Sequence, residues 1–337
     1  MSGYRKKQRD TGEALFTFGE PEPVHNEHIL DFLGVFQEAG GEYYIPPVSL
    51  SGLAKMRRAN GQHGSCILLR RNLLANAYRG GALSVQDFRR AATDLLSFGN
   101  AYLEKVRNGF GTVTGLVHIP AINMRVRSEG RGFRRLLSGG RYIDFEPYEI
   151  FHIKEYDEIQ QIYGLPDWLG GMQSALLNEE ATLFRRRYFV NGAHLGYILY
   201  TNDPKMSPGI KAKLEEKFRQ GKGVGNFKSS YIHIPGGAEK AIQIIPIGDI
   251  SQKDEFLNVK NISANDVLTA HRVPPVLMGI VPSGNSSLGD PEKYEGVYNR
   301  TEVRAVAQNF IDINGELPPK LRLKFDFTVE STAKPDK

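Results

Sequence analysis

The sequence has 337 residues, of which 40% are hydrophobic and 24% are charged, and it contains one cysteine, Cys66. This composition is typical of globular proteins, and the length suffices for about two domains. A lone cysteine excludes an internal disulfide framework and fits a reducing compartment. The formal net charge of +5 permits a polyanionic partner without requiring one.

The first ten residues, MSGYRKKQRD, are basic, and no apolar segment follows them. They therefore do not resemble a secretory signal, and we expect residues 1–20 to form a disordered basic tail. No run approaches the roughly 20 consecutive apolar residues that a membrane helix requires. We expect an intracellular protein with no membrane partner.

An α+β unit is predicted between residues 84 and 154. Ser84, followed three residues later by Asp87, resembles a capping box, and apolar residues recur at helical spacing until Gly99. The segments AYLEKVRN, GLVHIPAINMRVR and RYIDFEPYEIFHIK are then typical of strands, with a break at Pro120. The pattern predicts one helix followed by an antiparallel meander.

Two long helices are predicted in the second half of the chain. The first covers residues 166–192 and ends at Asn191-Gly192, and the second covers residues 251–273 and ends before Pro274-Pro275. The residues between them predict a strand, a basic amphipathic helix and two short strands. A loop rich in Gly, Ser and Asn, a third helix from PEKYEGVYNRTEVRAVAQNFIDING and a final strand in LPPKLRLKFDFTV follow.

Four stretches, in this order and spacing, resemble the phage portal proteins, which form the ring at one vertex of a tailed-phage capsid. The likeness is to the short portals of the PBSX-type family of contractile-tailed phages, and it extends from about residue 20 to about residue 328. The stretches are SFGNAYLEKVRN with HIPAINMRV, FHIKEYDEIQQIYGLPDWLGGMQSA, RRRYFVNGAHLGYIL, and HRVPPVLMGIVPSGNSSLGDPEKY.

The resemblance implies an α+β portal fold that assembles as a closed ring. A small α/β clip would be inserted between two stem helices, and the crown would be short and helical. The implied segments, after the tail, are the wing (21–163), the first stem helix (164–195), the clip (196–250), the second stem helix (251–275), the tunnel loop (276–292) and the crown with a C-terminal tail (293–337).

The resemblance also implies a subunit that is not an enzyme and needs no cofactor or metal. A ring of about twelve copies would form the DNA channel through which the genome is packaged and ejected. Its partners would be its own copies, the large subunit of the terminase motor, neck and head-completion proteins, major capsid and scaffold proteins, and double-stranded DNA. Its place would be the portal vertex of the virion, and the host cytoplasm during assembly.

The end of the first stem helix carries Arg185, Arg186 and Arg187, where cations favour the negative end of the helix dipole. Consecutive residues step by about 100° around a helix, so the three side chains cannot all lie on one face. A solvated helix end is one interpretation. The other is contact with acidic groups of a neighbouring subunit or with DNA phosphates.

A basic cluster is expected to make the clip a docking surface for the motor or a neck protein. An ordinary solvent-exposed face with helix ion pairs is equally compatible with this charge. The docking residues are Lys211, Lys213, Lys217, Arg219, Lys222 and Lys228.

The predicted tunnel loop offers small polar side chains to the channel. Duplex DNA must not be held tightly there, because each phosphate contact slows translocation. An ordinary surface loop is the alternative interpretation. The residues predicted to contact DNA are Ser283, Gly284, Asn285, Ser286, Ser287 and Lys293.

Two other patterns are not interpreted as sites. GKGVGNFKSS lacks the glycines of a phosphate-binding loop, with Lys222 and Phe227 in their places, and it follows a predicted helix instead of a strand. His152 is predicted to lie on a strand and the acids after it in the following surface turn, and they are not expected to bind a metal, because metal ligands usually converge from separate elements. His271 is expected to act as a cation at a helix end, and Cys66 as a buried thiol.

Two other functions stay open at this point. A metal-dependent nuclease would require a converging cluster of acids, and none occurs at convincing spacing in the sequence. A neck adaptor or tail component is the second alternative, and the two long helices around a clip-sized insertion argue against it.

Overall fold

The structure is a computed structural model that describes residues 37–190, 197–201, 209, 230–233, 242–246, 252–280 and 290–328. The chain divides into two compact units, each built from three stretches. The first unit comprises Met1–Lys55, Arg79–Pro166 and Asn309–Lys324, and the second comprises Met56–Tyr78, Asp167–Gln308 and Phe325–Lys337. Within the described ranges, no helix is long and apolar enough to span a bilayer.

The described α-helices alternate with short strands. The helices are α1 (Leu50–Ala59), α2 (Gly61–Ala77), α3 (Val85–Phe98), α4 (Met172–Val190), α5 (Gln252–Ala270), α6 (Pro291–Tyr298) and α7 (Arg304–Ile311). The strands are β1 (Tyr78–Gly80), β2 (Asn100–Arg107), β3 (Val113–Ile119), β4 (Met124–Val126), β5 (Phe133–Leu136), β6 (Tyr142–Phe145), β7 (Ile150–Lys154), β8 (Tyr197–Thr201), β9 (Ser230–His233), β10 (Ile242–Pro246) and β11 (Lys324–Phe325).

Helix α3 of the first unit begins and ends as its sequence predicts. The Ser84 hydroxyl accepts the Asp87 N–H at 3.0 Å. At the other end Gly99 adopts φ 68° and donates its N–H to the Leu95 carbonyl at 2.8 Å. A Cβ at Gly99 would lie 2.4 Å from the carbonyl carbon of Leu165, so glycine is required both by the backbone angle and by this close approach.

The strands of the first unit form two sheets of three strands, in the orders β3-β2-β7 and β4-β5-β6, with every neighbouring pair antiparallel. The expected single meander is therefore wrong, because β7 returns to pair with β2. Strand β5 was not predicted, since its centre, Arg134-Arg135, is charged. Arg134 is accommodated by two hydrogen bonds to Asp144 of β6, at 2.6 and 2.8 Å, and by the ring of Tyr142 at 3.8 Å.

The start of β2 is fixed by the buried side chain of Asn100. Its amide nitrogen donates to the carbonyls of Phe98 and Gly164, both at 2.7 Å. Its oxygen accepts the Gly164 N–H at 2.8 Å and bonds the Nε2 atom of His152 at 2.9 Å. One side chain thus satisfies three backbone groups and orients an imidazole.

His152 lies on strand β7, as the sequence predicts. Its ring stacks on Tyr102 with the centroids 4.4 Å apart, and burial, assisted by the charge of Lys154, lowers its pKa to about 3. The acids that follow do form a turn, in which Asp157 accepts the N–H groups of Ile159 and Gln160. Across the part of the chain that the structure describes, no three His, Cys, Asp or Glu side chains converge as metal ligands.

The second unit contains the two long helices, α4 and α5, within the ranges that the sequence predicts. Between them in the chain, β8 pairs antiparallel with β10 and parallel with β9, which confirms the three predicted strands. The basic helix predicted after β8 lies outside the described residues, apart from Gly209.

Two elements of the second unit differ from the sequence prediction. Helix α2 was not predicted, although Asn60 caps it by accepting the His63 N–H at 2.8 Å. The expected third helix is divided, because a π-helical turn, Asn299–Val303, separates α6 from α7. Cys66 is fully buried in α2, as expected.

We expect replacement of Asn100 by alanine to lower the free energy of unfolding by about 3 kcal/mol, because three buried backbone groups lose their partner. Urea denaturation of the purified variant measures this value. The matched control is Asn108→Ala, which removes two bonds to backbone N–H groups in an exposed hairpin loop, where water can replace them. Equal losses in the two variants would contradict the assignment.

Candidate functional site

Helices α4 and α5 pack against each other in the second unit and run antiparallel. Gly171, just before α4, lies against Ala270 at the end of α5, and Ser174 donates to Asp266 at 3.4 Å. A Cβ at Gly171 would lie 2.3 Å from the Cβ of Ala270, so only glycine allows this approach. The contacting residue numbers therefore fall along α5 as they rise along α4, as expected for antiparallel helices.

Both helices bury small apolar side chains, and α5 also buries Leu268. Ala175 and Ala181 of α4 are 2% and 7% exposed, and Val267 of α5 is 1% exposed. Small residues let helix backbones approach closely, which strengthens dispersion contacts and limits the freedom of one helix to slide along the other.

A buried polar ladder fixes the register of the pair. The amide of Asn178 in α4 donates to the Lys260 carbonyl at 2.9 Å and to the Ser263 hydroxyl at 3.1 Å, both in α5. Asn60 at the start of α2 donates to the Asn178 oxygen at 3.3 Å and to the Ala175 carbonyl at 2.7 Å. Since a buried amide must find its partners, any other register would leave polar groups unpaired.

An aromatic cluster lies where α5 ends and α4 begins. His63 Nδ1 is 2.9 Å from His271 Nε2, and the ring of Trp168 lies against both imidazoles, at centroid distances of 4.2 and 5.7 Å. All three side chains are buried. Burial, with the nearby charge of Arg57, lowers the pKa of His63 to about 4.

The expectation that His271 acts as a cation at the helix end is wrong. Burial, together with His63 and the positive charges of Arg70 and Arg272, lowers its pKa to about 2, although Asp167 acts in the opposite sense. Both imidazoles are therefore neutral near pH 7. Desolvation outweighs the favourable helix dipole at this position.

An ion cluster adjoins the aromatic cluster. Arg70 of α2 donates to both oxygens of Asp167, at 3.0 and 2.7 Å, and Arg272 also donates to Asp167. Arg272 then donates to Glu302 of the π turn at 2.6 Å. Burial would raise the pKa of Asp167, but the bonds and charge of Arg70 and the charge of Arg272 outweigh it and hold this pKa below its usual value.

The structure places only part of the predicted site. Arg185 and Arg186 are exposed and form no ion pair with any described residue, and the positive charge of Arg185 adds to burial in lowering the pKa of Lys260. Lys293 is 84% exposed and lies 3.7 Å from Asp290. The remaining predicted side chains lie outside the described residues: Arg187, Lys211, Lys213, Lys217, Arg219, Lys222, Lys228, Ser283, Gly284, Asn285, Ser286 and Ser287.

We expect Asn178→Ala to lower the free energy of unfolding by about 2 kcal/mol, because the Lys260 carbonyl, Ser263 and Asn60 each lose a buried partner. The control is Ser174→Ala on the same helix, whose bond to Asp266 is exposed, and it should change stability by less than about 0.5 kcal/mol. Urea denaturation of both variants measures the difference. A Ser174 effect as large as the Asn178 effect would contradict the register argument.

The neutral histidine pair makes stability depend on pH. The unfolded chain binds protons at the ordinary histidine pKa of 6.5, whereas folded His63 and His271 do so only near 4 and 2. Stability is thus fully present above pH 6.5 and falls as the pH decreases below it, by about 1.4 kcal/mol per pH unit for each such histidine.

We expect urea midpoints measured between pH 6 and pH 5 to fall less steeply for His63→Gln than for the unaltered chain, since one titrating group is removed. The slope is the readout, so a uniform loss of stability in the variant does not affect the test. Identical slopes would show that His63 is not held neutral.

Comparison of the sequence with known proteins identifies the family to which the chain belongs. The family model described as phage portal protein matches residues 72–329. The chain is 44% identical over 313 residues to a probable portal protein of Haemophilus phage HP1, with 90% of each chain covered. It is 42% identical over 304 residues to a probable portal protein of Escherichia phage P2, covering 90% of this chain and 88% of the relative.

Solved structures share the fold at lower identity. A chain in the neck of a native gene transfer agent particle, computed with C12 symmetry, superimposes with a TM-score of 0.60 at 19% identity, covering 85% of this chain and 86% of that one. An HK97 family portal protein from Corynebacterium diphtheriae gives 0.54 at 16% identity, covering 80% and 95%. From the matched family model and the two phage relatives together, we conclude that the chain belongs to the phage portal protein family and is a portal subunit.

Proposed function

We propose that about twelve copies of this chain form a closed ring around the DNA channel at one capsid vertex, and that the genome is packaged and ejected through it. Helices α4 and α5 would wall the channel, and the region that contains β8, β9 and β10 would hang below as the clip. The antiparallel helix pair, with a small sheet inserted between its members in the chain, supports this layout.

The observation that carries the proposal is the distribution of side-chain size on the two helices. Three large apolar side chains of the two helices are exposed, Leu177 at 51%, Val259 at 37% and Ile262 at 62%, whereas Leu268 of α5 is buried. The described contacts inside the pair are the close approach of Gly171 to Ala270 and the polar ladder. A helix pair that functioned alone would bury its large side chains and expose its small ones.

A neighbouring copy would cover these exposed residues. A closed cyclic ring repeats one heterologous interface, so the same apolar side chains are covered in every subunit. Arg185 and Arg186 carry exposed positive charge near the clip end of α4. They would meet acidic groups of the neighbour or the phosphates of passing DNA.

The remaining roles concern partners. The small polar residues of the tunnel loop, Ser283–Ser287, with Lys293, would touch the duplex without holding it. The basic clip residues Lys211–Lys228 would dock the terminase large subunit during filling and neck or head-completion proteins afterwards. Major capsid and scaffold proteins would surround the ring, and ATP hydrolysis would belong to the motor.

Mass photometry of the purified chain should show a ring of about twelve subunits. We expect the double variant Leu177→Asp, Ile262→Asp to remain monomeric while keeping its thermal midpoint, because a charge at a contact between copies is desolvated on assembly but stays solvated in the monomer. The control, Asn261→Asp, adds a charge beside Ile262 at a polar position and should assemble. Normal rings in the double variant would refute the proposed interface.

A further inference from the structure

Helix α5 ends in a backbone conformation that its sequence makes costly. Arg272 has φ 56°, its N–H donates to the Thr269 carbonyl at 2.9 Å, and the Val273 N–H donates to the Leu268 carbonyl at 2.9 Å. This is the Schellman arrangement, in which the left-handed residue is usually glycine. The short 3₁₀ helix that follows ends at Gly279, with φ 69°, so glycine occupies the equivalent position only seven residues later.

The side chain of Arg272 accounts for the use of arginine. Its guanidinium donates to Glu302 and to Asp167, and Asp167 is itself held by both bonds from Arg70. Glycine would relieve the backbone strain but would remove both of these contacts. The left-handed turn directs the guanidinium between two carboxylates that belong to separate segments of the second unit.

The partner of Arg272 lies in a second unusual backbone segment. Glu302 belongs to the π turn Asn299–Val303, which adds one residue to the helix that continues from α6 into α7. π turns are rare in proteins overall, and those that occur are often found at functional sites. Conversion of this turn to regular α-helix would rotate α6 by about 100° relative to α7. The Tyr298 hydroxyl donates to the His271 carbonyl at 3.4 Å, which is a second link to the end of α5.

We propose that Arg272 is a positioning residue that holds these two strained segments together as a joint with two positions. In the position described, α5 ends at Ala270 and the π turn is present. When Arg272 releases both Glu302 and Asp167, it relaxes to right-handed helix, α5 extends toward Pro274, and the π turn becomes α-helical. Helix α6 then turns about its axis, and its exposed residues Tyr294 and Val297 face a new direction.

The exposure of the pair favours this role over simple stabilisation. The Arg272 side chain is 45% exposed and that of Glu302 is 20% exposed. Ion pairs open to solvent contribute little net stability, because water and salt screen them. Such a pair still selects between two backbone arrangements of similar energy. The joint lies within one subunit, so this inference does not depend on the number of copies in the ring.

Hydrogen exchange of the full chain, followed by mass spectrometry, tests the joint. We expect Glu302→Gln to raise amide exchange by about threefold at both ends of the joint, residues 268–273 and 294–303, with α2 and α4 unchanged. The exchange rises because the hydrogen bonds of both ends break each time the joint passes between its two positions. The conservative variant Glu302→Asp keeps the charge and should restore much of the protection. The control, Arg90→Gln, breaks an exposed 2.9 Å pair with Asp87 in the first unit and should leave both segments unaffected.

Two further variants separate the backbone role from the charge role. Arg272→Gly keeps the left-handed turn, so residues 268–273 should stay protected while residues 299–303 exchange faster. Arg272→Ala should lose protection at both ends, because alanine neither tolerates the turn nor binds Glu302. Wild-type exchange in Glu302→Gln, or identical patterns in the glycine and alanine variants, would overturn the proposal. These readings are local, so they are obtained whether or not rings assemble.

Discussion

The close, register-locked packing of α4 on α5 is the constraint on which the second unit depends. Gly171 admits Ala270 at a distance that no other residue would allow, and Asn178 bonds the backbone of α5 from the middle of α4. The first contact sets how closely the helices approach at one end, and the second fixes their register. Leu177, Val259 and Ile262 remain exposed on the two helices, whereas Leu268 is buried.

The exposed apolar side chains on α4 and α5 are consistent with a subunit of the phage portal protein family. In the proposed ring, each subunit contacts its own copies along α4 and α5, and exposed apolar residues beside a rigid helix pair suit this task. The helix pair must be rigid, because the same interface is repeated around a ring and any error in the angle between neighbouring subunits accumulates. The cluster around His63 adds to this rigidity by holding the end of α5 against α2.

Sequence patterns predict the elements whose signals are local. The Ser84 cap and the Gly99 stop of α3 need only nearby residues, and the two long helices follow from apolar periodicity. The predicted stop of the first long helix, Asn191-Gly192, lies outside the described residues. Strand β5 was missed because Arg134 looks unsuited to a strand until its acidic partner on the next strand is known. The site residues could not be predicted from sequence, because their roles depend on segments far away in the chain. Asn178 matters only through its bonds to α5, and His271 is neutral only because distant segments bury it.

Electron cryomicroscopy of the assembled protein, viewed along the ring axis, tests the central claim most directly. The account predicts a closed ring in which α4 and α5 of each subunit wall the pore and contact the helices of the next copy through Leu177 and Ile262. A chain that stays a compact monomer, or a ring whose copies meet without α4 and α5, would contradict it.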